Sequence, residues 1–308
     1  MTALGLGCAQ LGNLWRERSD ADARAIVDAA WDCGVRYFDT APHYGLGLSE
    51  RRLGAALAGR PRGEYTVSTK VGRLLEPTAD GGDDLADGFA VPRTHRRVWD
   101  FSRDGVRRSL EESLGRLGLD RVDVALLHDP EFAPEAALRH GFPALAELRA
   151  EGVVGAVGAG SKDAGVLARV VAECAPDVVM VAGRYTLLEQ PAAETLLPAC
   201  AAAGVAVFAA GVFNSGLLAE DVPRAGLHYE YGDAPSDLIR RAADLAEACR
   251  EFGTTLPAAA LSFPGRHPAV TAVVVGADDA GQVRRNAARF AAPPADALWA
   301  ALGERGLL

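Results

Sequence analysis

GVRYFDTAPHYGLGLSE, residues 34–50, is an apolar, strand-like run that ends in a carboxylate and passes into a glycine-rich turn carrying Tyr44. Two later runs end the same way. EYTVSTK closes on Lys70 and VDVALLHDP carries His128 at the end of its apolar stretch. Lys70 stands out because the chain has only two lysines, Lys70 and Lys162, and otherwise uses arginine for positive charge. A composition that favours arginine this strongly retains lysine where a compact point charge with a tunable pKa is needed, which a planar guanidinium does not supply. A tyrosine beside a lysine exchanges protons near neutral pH, because the cation favours the phenolate. That is the chemistry of reversible carbonyl reduction.

Around these runs, short apolar stretches alternate with amphipathic ones. Strands are expected at 4–8, 35–39, 65–70, 122–128, 153–159, 177–182, 205–210 and 269–275, each apolar without strict alternation, as for strands covered on both faces. Helices are expected at roughly 20–33, 49–58, 102–117, 135–150, 162–173, 191–203, 236–252 and 279–289. Ser19, ahead of Asp20 and Asp22, supplies a cap and favourable first-turn charge for the first of them. Eight strand–helix pairs imply an α/β fold with a parallel sheet closed into a (β/α)8 TIM barrel, one domain spanning 1–308. Such barrels place their active site at the C-terminal ends of the strands. Asp39, Lys70 and His128 close strands two, three and four, and Tyr44 lies five residues past strand two, so all four converge on one mouth. Singly, each has an ordinary reading as a core salt bridge, a rim histidine or a loop aromatic; their convergence is what points to chemistry. His43, beside Tyr44, reads as a residue that shapes the pocket.

Two long βα loops break the rhythm. Residues 71–101 follow strand three, and residues 211–235, with Phe213, Asn214, His228, Tyr229 and Tyr231, follow strand seven. Both leave the predicted mouth, so they read as loops that cover substrate.

Bulk properties narrow the setting. The 308 residues are 49% hydrophobic with a formal net charge of −9, which suits a soluble domain and argues against nucleic acid as a partner. RTHRR at 93–97 is too short and interrupted for a nucleic-acid patch. No run is long enough to span a membrane and the N-terminus lacks a signal-peptide pattern, so a cytoplasmic location is expected. Five scattered cysteines without a CxxC pair read as buried thiols in a reducing compartment, and no metal site is expected.

The chain resembles the aldo-keto reductases. GVRYFDTAPHYG…SE, the lysine and LLHD strand endings, and VVVGADDAGQVRRN near the C-terminus carry the likeness over nearly the whole length. The resemblance implies Tyr44 as general acid/base, Lys70 and Asp39 as the pair that sets its pKa, and His128 as the residue that orients the substrate oxygen. It implies cofactor contacts from Gly276, Gln282 and Asn286, where relatives often carry cations at the first two positions. The Ser-Asn pair that usually grips the nicotinamide amide stands here as Gly160-Ser161, and the aromatic expected near Gly211 is missing, with Phe213 and Asn214 following. Asp278 and Asp279 disfavour a 2′-phosphate, so NAD is expected to be preferred; Arg284 and Arg285 leave NADP open.

Within the family, DFSRDGVRRSLEESLGRLGLDRVDVALLHDPE, AGRYTLLEQ and GVFNSGLL resemble the L-fucose, D-threo-aldose and L-galactose dehydrogenases. The expected activity is oxidation of a free aldose, of the L-fucose, L-galactose or D-arabinose type, at C1 to the aldonolactone. The alternatives are a general NADPH-dependent aldehyde or ketone reductase, a Schiff-base aldolase on Lys70, and a non-catalytic nicotinamide-binding regulatory relative. A small sugar or carbonyl compound is the expected partner.

Overall fold

All eight apolar runs form strands: β1 (Leu4–Gly7), β2 (Tyr37–Asp39), β3 (Thr66–Val71), β4 (Val122–His128), β5 (Val154–Ser161), β6 (Val178–Ala182), β7 (Ala206–Ala210) and β8 (Val270–Gly276). Every neighbouring pair is parallel, and β8 pairs back onto β1, so the sheet closes as a TIM barrel in chain order. This computed structural model describes residues 1–224, 226–230 and 232–308, and of His228 the backbone; Tyr231, one of the aromatics expected over the mouth, lies outside the described residues.

The strands pack their outer faces against α1 (Asp20–Asp32), α2 (Leu48–Leu57), α3 (Arg103–Leu117), α4 (Phe142–Ala150), α5 (Ala164–Cys174), α6 (Leu196–Ala203), α7 (Ser236–Glu251), α8 (Leu256–Ser262), α9 (Ala280–Ala291) and α10 (Asp296–Glu304). Ser19 caps α1 as its sequence suggests: its hydroxyl accepts from the Asp22 amide while the Asp22 carboxylate accepts from the Ser19 amide. The helix expected over 135–150 is interrupted. A π-helical stretch at Ala137–Gly141 precedes α4, because Pro143 has no N–H to donate and its ring crowds the preceding turn. α8 and α10 are additions. α8 reads LPAAALS, apolar all round and buried from Leu256 to Leu261, so it carries no amphipathic stripe to announce it.

The loop over 71–101 is not structureless. Arg73–Pro77 pairs antiparallel with His95–Trp99, and Asp83–Asp84 pairs with Phe89–Pro92. This ribbon is stitched to the loop after β1, where Ala90 N–H donates to the Asn13 carbonyl (2.9 Å) and Trp15 N–H to that of Gly88 (2.8 Å). The loop after β7 carries a smaller ribbon, His228–Tyr229 against Gly232–Asp233. Among the cysteines, Cys8, Cys200 and Cys249 are buried but Cys33 is exposed. Among the described residues no helix is long and apolar enough to cross a membrane.

The barrel interior is filled by inward side chains of the strands, with Tyr37 of β2, Leu126 of β4, Met180 of β6 and Phe208 of β7 in one buried cluster. The Tyr37 ring lies 5.1 Å from that of Phe208 and occupies the space left by Gly5. A Cβ at Gly5 would sit 2.6 Å from Tyr37 Cδ1, and the fully buried ring has nowhere to go. Gly5→Ala is therefore expected to destabilise the protein by about 1–3 kcal/mol through overpacking. Urea unfolding of the variant checks this; a loss well under 1 kcal/mol would show that the Tyr37 ring is free to shift.

Candidate active site

Side chains alternate across a strand, so the last inward residues of β2, β3 and β4 come in pairs: Tyr37 and Asp39, Ser68 and Lys70, Leu126 and His128. Parallel register aligns their ends, with Asp39 opposite both Gly7 and Ser68, and His128 opposite Gly160. The four residues singled out in the sequence are thereby brought together at the C-terminal mouth. Lys70 Nζ donates to Asp39 Oδ2 at 2.8 Å, to the Thr40 carbonyl at 3.1 Å and to the Tyr44 hydroxyl at 3.1 Å. Both charged side chains are only 4% exposed. Burial pulls the Lys70 ammonium down, but Asp39 and Tyr44 beside it outweigh that and hold it above its ordinary value, so it is a permanent cation at physiological pH.

Tyr44 owes its position to the turn after β2. The Tyr44 amide donates to the Ala41 carbonyl, and the Gly47 amide to that of Pro42. Ser49 and Glu50, which end the opening stretch without a role assigned to them, anchor this turn. Ser49 Oγ bonds the Cys8 carbonyl (2.7 Å) and Thr40 Oγ1 (2.8 Å). The fully buried Glu50 accepts from Thr69 Oγ1 (2.7 Å) and from Arg116 Nε on α3 (2.6 Å). A serine and a glutamate at the start of α2 look like ordinary helix-terminal residues, so only the contacts reveal them.

His128 stands edge-on to the Tyr44 ring at 6.3 Å and to His43 at 5.7 Å. Its pKa is pushed well down by burial, then by Arg73 and Lys70, so the imidazole is neutral and hydrogen-bonds without carrying charge. Burial, Arg73, Arg97 and Lys70 likewise lower His43 to about 2. His43 thus shapes the pocket as expected, packed against Phe89 of the 71–101 ribbon. Arg97 fastens that ribbon, donating to Asp84, Asp87 and the His43 carbonyl.

The mouth has two lobes that share His43, Asp129 and Lys162. The inner lobe, about 250 Å³, contains the four central residues and has a floor of small residues that includes Gly7, Ala9, Gly160, Ala210, Gly211 and Gly276. The outer lobe, about 400 Å³, is polar: Arg73 donates to Asp129 Oδ2 at 2.9 Å while its guanidinium lies 4.0 Å over Trp99, and Glu131 and Phe132 complete the wall. A larger groove of about 650 Å³ between α2 and α3 contains none of the four residues.

A planar heteroaromatic ring fits the inner floor, where small residues leave room and the buried Gln10 Oε1 lacks a partner. Of the residues expected to hold cofactor, Gly160, Ser161, Gly211 and Gly276 line this lobe. The others stand apart from it. Phe213 packs into the outer core, and Asn214 is buried with its amide donating to Glu189 Oε1 at 3.0 Å. Gln282 accepts from the Asp278 amide at 2.7 Å, and Asn286 is buried against β1 and α1, beside Leu4 and Ala30. Asp279 caps α9, so the amide of Gln282 is already taken. Asp278 is paired with Arg18, whose side chain is almost fully buried. Tyr229 of the second loop donates to Glu189 at 2.6 Å, holding the small ribbon down.

Comparison with known proteins matches residues 3–303 to the aldo/keto reductase family. The chain is 51% identical to a D-threo-aldose 1-dehydrogenase of a Pseudomonas species, covering 99% of this chain and 94% of that protein. It is 39% identical to a pyridoxal 4-dehydrogenase of Microbacterium luteolum (100% and 95% covered) and 31% to an L-galactose dehydrogenase of Arabidopsis thaliana (94% and 84%). Among solved structures, the holo form of the aldo-keto reductase AKR11C1 from Bacillus halodurans superimposes with a TM-score of 0.76 at 27% identity, over 96% of this chain and 88% of that one.

The two depressed histidines make a prediction about stability. Each stays neutral in the native state while the unfolded chain protonates below about 6.5, so acidification favours unfolding. Their contribution is fully present above pH 6.5 and is lost as pH falls towards the native-state values, at up to about 1.4 kcal/mol per pH unit for each. Urea unfolding between pH 7.5 and 5.5 should show this slope, and His43→Gln should flatten it. An unchanged slope in the variant would show that His43 takes up a proton in the native state.

Proposed function

The chain belongs to the aldo/keto reductase family, and from that premise we propose that it oxidises a free aldose at C1 to the aldonolactone, with Tyr44 as general base. The observation that carries the reading is the Lys70 ammonium within hydrogen-bond distance of both Asp39 and the Tyr44 hydroxyl, in a mouth that a neutral His128 also lines. When bound, a nicotinamide cofactor supplies the hydride acceptor for this chemistry. Gly160, Ser161, Gly211 and Gly276 would hold it on the inner floor.

The residues divide the work by their charge. Lys70, always protonated, favours the Tyr44 phenolate, so Tyr44 takes the proton of the C1 hydroxyl as the carbon is oxidised. His128, being neutral, donates or accepts a hydrogen bond at the same oxygen without adding charge. In a cyclic aldose the ring oxygen stabilises the positive character that develops at C1. The outer lobe suits a polyol: Arg73 and Asp129 offer donors and acceptors held by each other and by Trp99, and a site built for hydroxyls rejects analogues that lack them. The 51% likeness to an aldose 1-dehydrogenase supports the same reading.

NAD is the inferred preferred cofactor. Gly276 brings no cation to this end of the site, and a Cβ there would meet only the end of the Gln10 side chain, 2.4 Å from its Oε1. Arg18 is already paired with Asp278, so Arg284 and Arg285, exposed on α9, are the cations on which NADP binding would have to rely.

The test is NADH formation over a panel of free sugars, pyridoxal and simple aldehydes, with Tyr44→Phe as control. We expect turnover of L-fucose, L-galactose and D-arabinose above D-glucose, a higher kcat/KM with NAD than with NADP, and a loss of about 10²–10⁴ in kcat for Tyr44→Phe. Turnover confined to pyridoxal or to hydrophobic aldehydes would contradict the sugar assignment.

A further inference from the structure

The hydrogen bonds at the mouth continue downward into the barrel. Asp39 uses Oδ2 for Lys70, and its Oδ1 accepts from Ser68 Oγ at 2.6 Å. Ser68 Oγ in turn lies 2.9 Å from the Tyr37 hydroxyl. All four side chains are buried, with Tyr37 and Ser68 fully so. The polarity of this chain follows from counting hydrogens. An ion-paired carboxylate has only lone pairs to offer, so Ser68 spends its one hydrogen on Asp39. The hydrogen between Ser68 and Tyr37 must then come from the phenol. Burial, with Asp39 nearby, pushes the Tyr37 phenol well above its ordinary value, which keeps that hydrogen in place.

We propose that Tyr37 and Ser68 form a two-step donor chain beneath Asp39 that sets how tightly Tyr44 holds its proton, which makes them positioning residues for the reaction. The proposal rests on Tyr44 being the acid/base group. Volume alone does not call for these hydroxyls, since a phenylalanine and an alanine would fill nearly the same space; what they supply is a partner for the second Asp39 oxygen and, behind it, a partner for Ser68. Their effect is electrostatic. Donation from Ser68, strengthened by donation from Tyr37, draws negative charge away from the side of Asp39 that faces Lys70. Without it the full carboxylate charge acts on Lys70 and Tyr44. Lys70 is drawn towards Asp39, the phenolate is repelled, and Tyr44 keeps its proton to higher pH.

Ultraviolet phenolate titration of the full-length protein reads this directly. The difference between the titration of each background and that of its Tyr44→Phe counterpart isolates Tyr44. Ser68→Ala should raise the Tyr44 transition by about half to one pH unit, and Tyr37→Phe should raise it less. The acid limb of kcat/KM for aldose oxidation should move with it. Unmoved or lowered transitions in both variants, with only the melting temperature reduced, would overturn the proposal and leave the chain a structural pin. If Ser68→Ala does not fold, Tyr37→Phe, which keeps the ring, decides alone. Undiminished turnover in Tyr44→Phe would instead defeat the acid/base reading, while the titration still reports whether the chain acts on Tyr44.

Discussion

The mouth of this barrel depends on one buried ion pair, Lys70 with Asp39. Taking two charges out of water costs several kcal/mol each, and their attraction repays it only when every remaining donor and lone pair is satisfied. Here the satisfaction is nearly complete: Thr40 and Tyr44 take the other ammonium hydrogens, and Ser68 takes the second carboxylate oxygen. A pair of this kind adds little net stability compared with a hydrophobic pair of the same size. Under the proposed function, its use lies in what it does to its neighbour. A cation that cannot be titrated away lies 3.1 Å from a phenol, at the one place where the strand ends, the small-residue floor and the polar outer lobe meet.

The surroundings serve that arrangement. Parallel register brings the ends of β2, β3 and β4 to the same height, so Asp39, Lys70 and His128 need no long reach. Tyr44 comes from a turn rather than a strand, and Ser49 and Glu50 anchor it from α2 to Cys8, Thr69 and Arg116. The 71–101 ribbon closes one side through Arg97, Phe89 and the stitches to Asn13 and Trp15. Burial, and after it the positive charge of Arg73, Arg97 and Lys70, keeps His43 and His128 neutral, so the mouth presents hydrogen-bonding imidazoles rather than further cations.

Much of this was legible in the sequence, for identifiable reasons. Eight apolar runs bounded by turns gave the strands, and residues that close strands of a parallel barrel must share a mouth, so Asp39, Lys70 and His128 could be grouped without coordinates. Less legible was whatever depends on pairing between distant residues. The ribbon at Arg73–Trp99 lies in a stretch rich in Gly, Asp and Pro, where local pattern reads as loop, and its strands are held by pairing with each other. α8 is apolar all round and offers no period. Position follows the same line. Glycines and a serine at strand ends reach the mouth by topology alone, whereas the surroundings of Gln282 and Asn286, on a helix, depend on orientation: Gln282 accepts from the Asp278 amide and Asn286 is buried beside Leu4 and Ala30. Tyr37 and Ser68 carry no signal in the sequence, because a tyrosine and a serine inside a strand look like core filling and only the structure sets their hydroxyls in line.

Under the proposed function the Lys70–Asp39 pair serves Tyr44 and not the fold. The double variant Asp39→Asn/Lys70→Met separates the two, because removing both charges together strands neither in the interior. Its urea stability should stay within about 2 kcal/mol of the parent, while kcat for aldose oxidation at neutral pH falls by about 10² or more. A variant that unfolds outright, or one that stays folded and keeps its turnover within tenfold of the parent, would contradict the account.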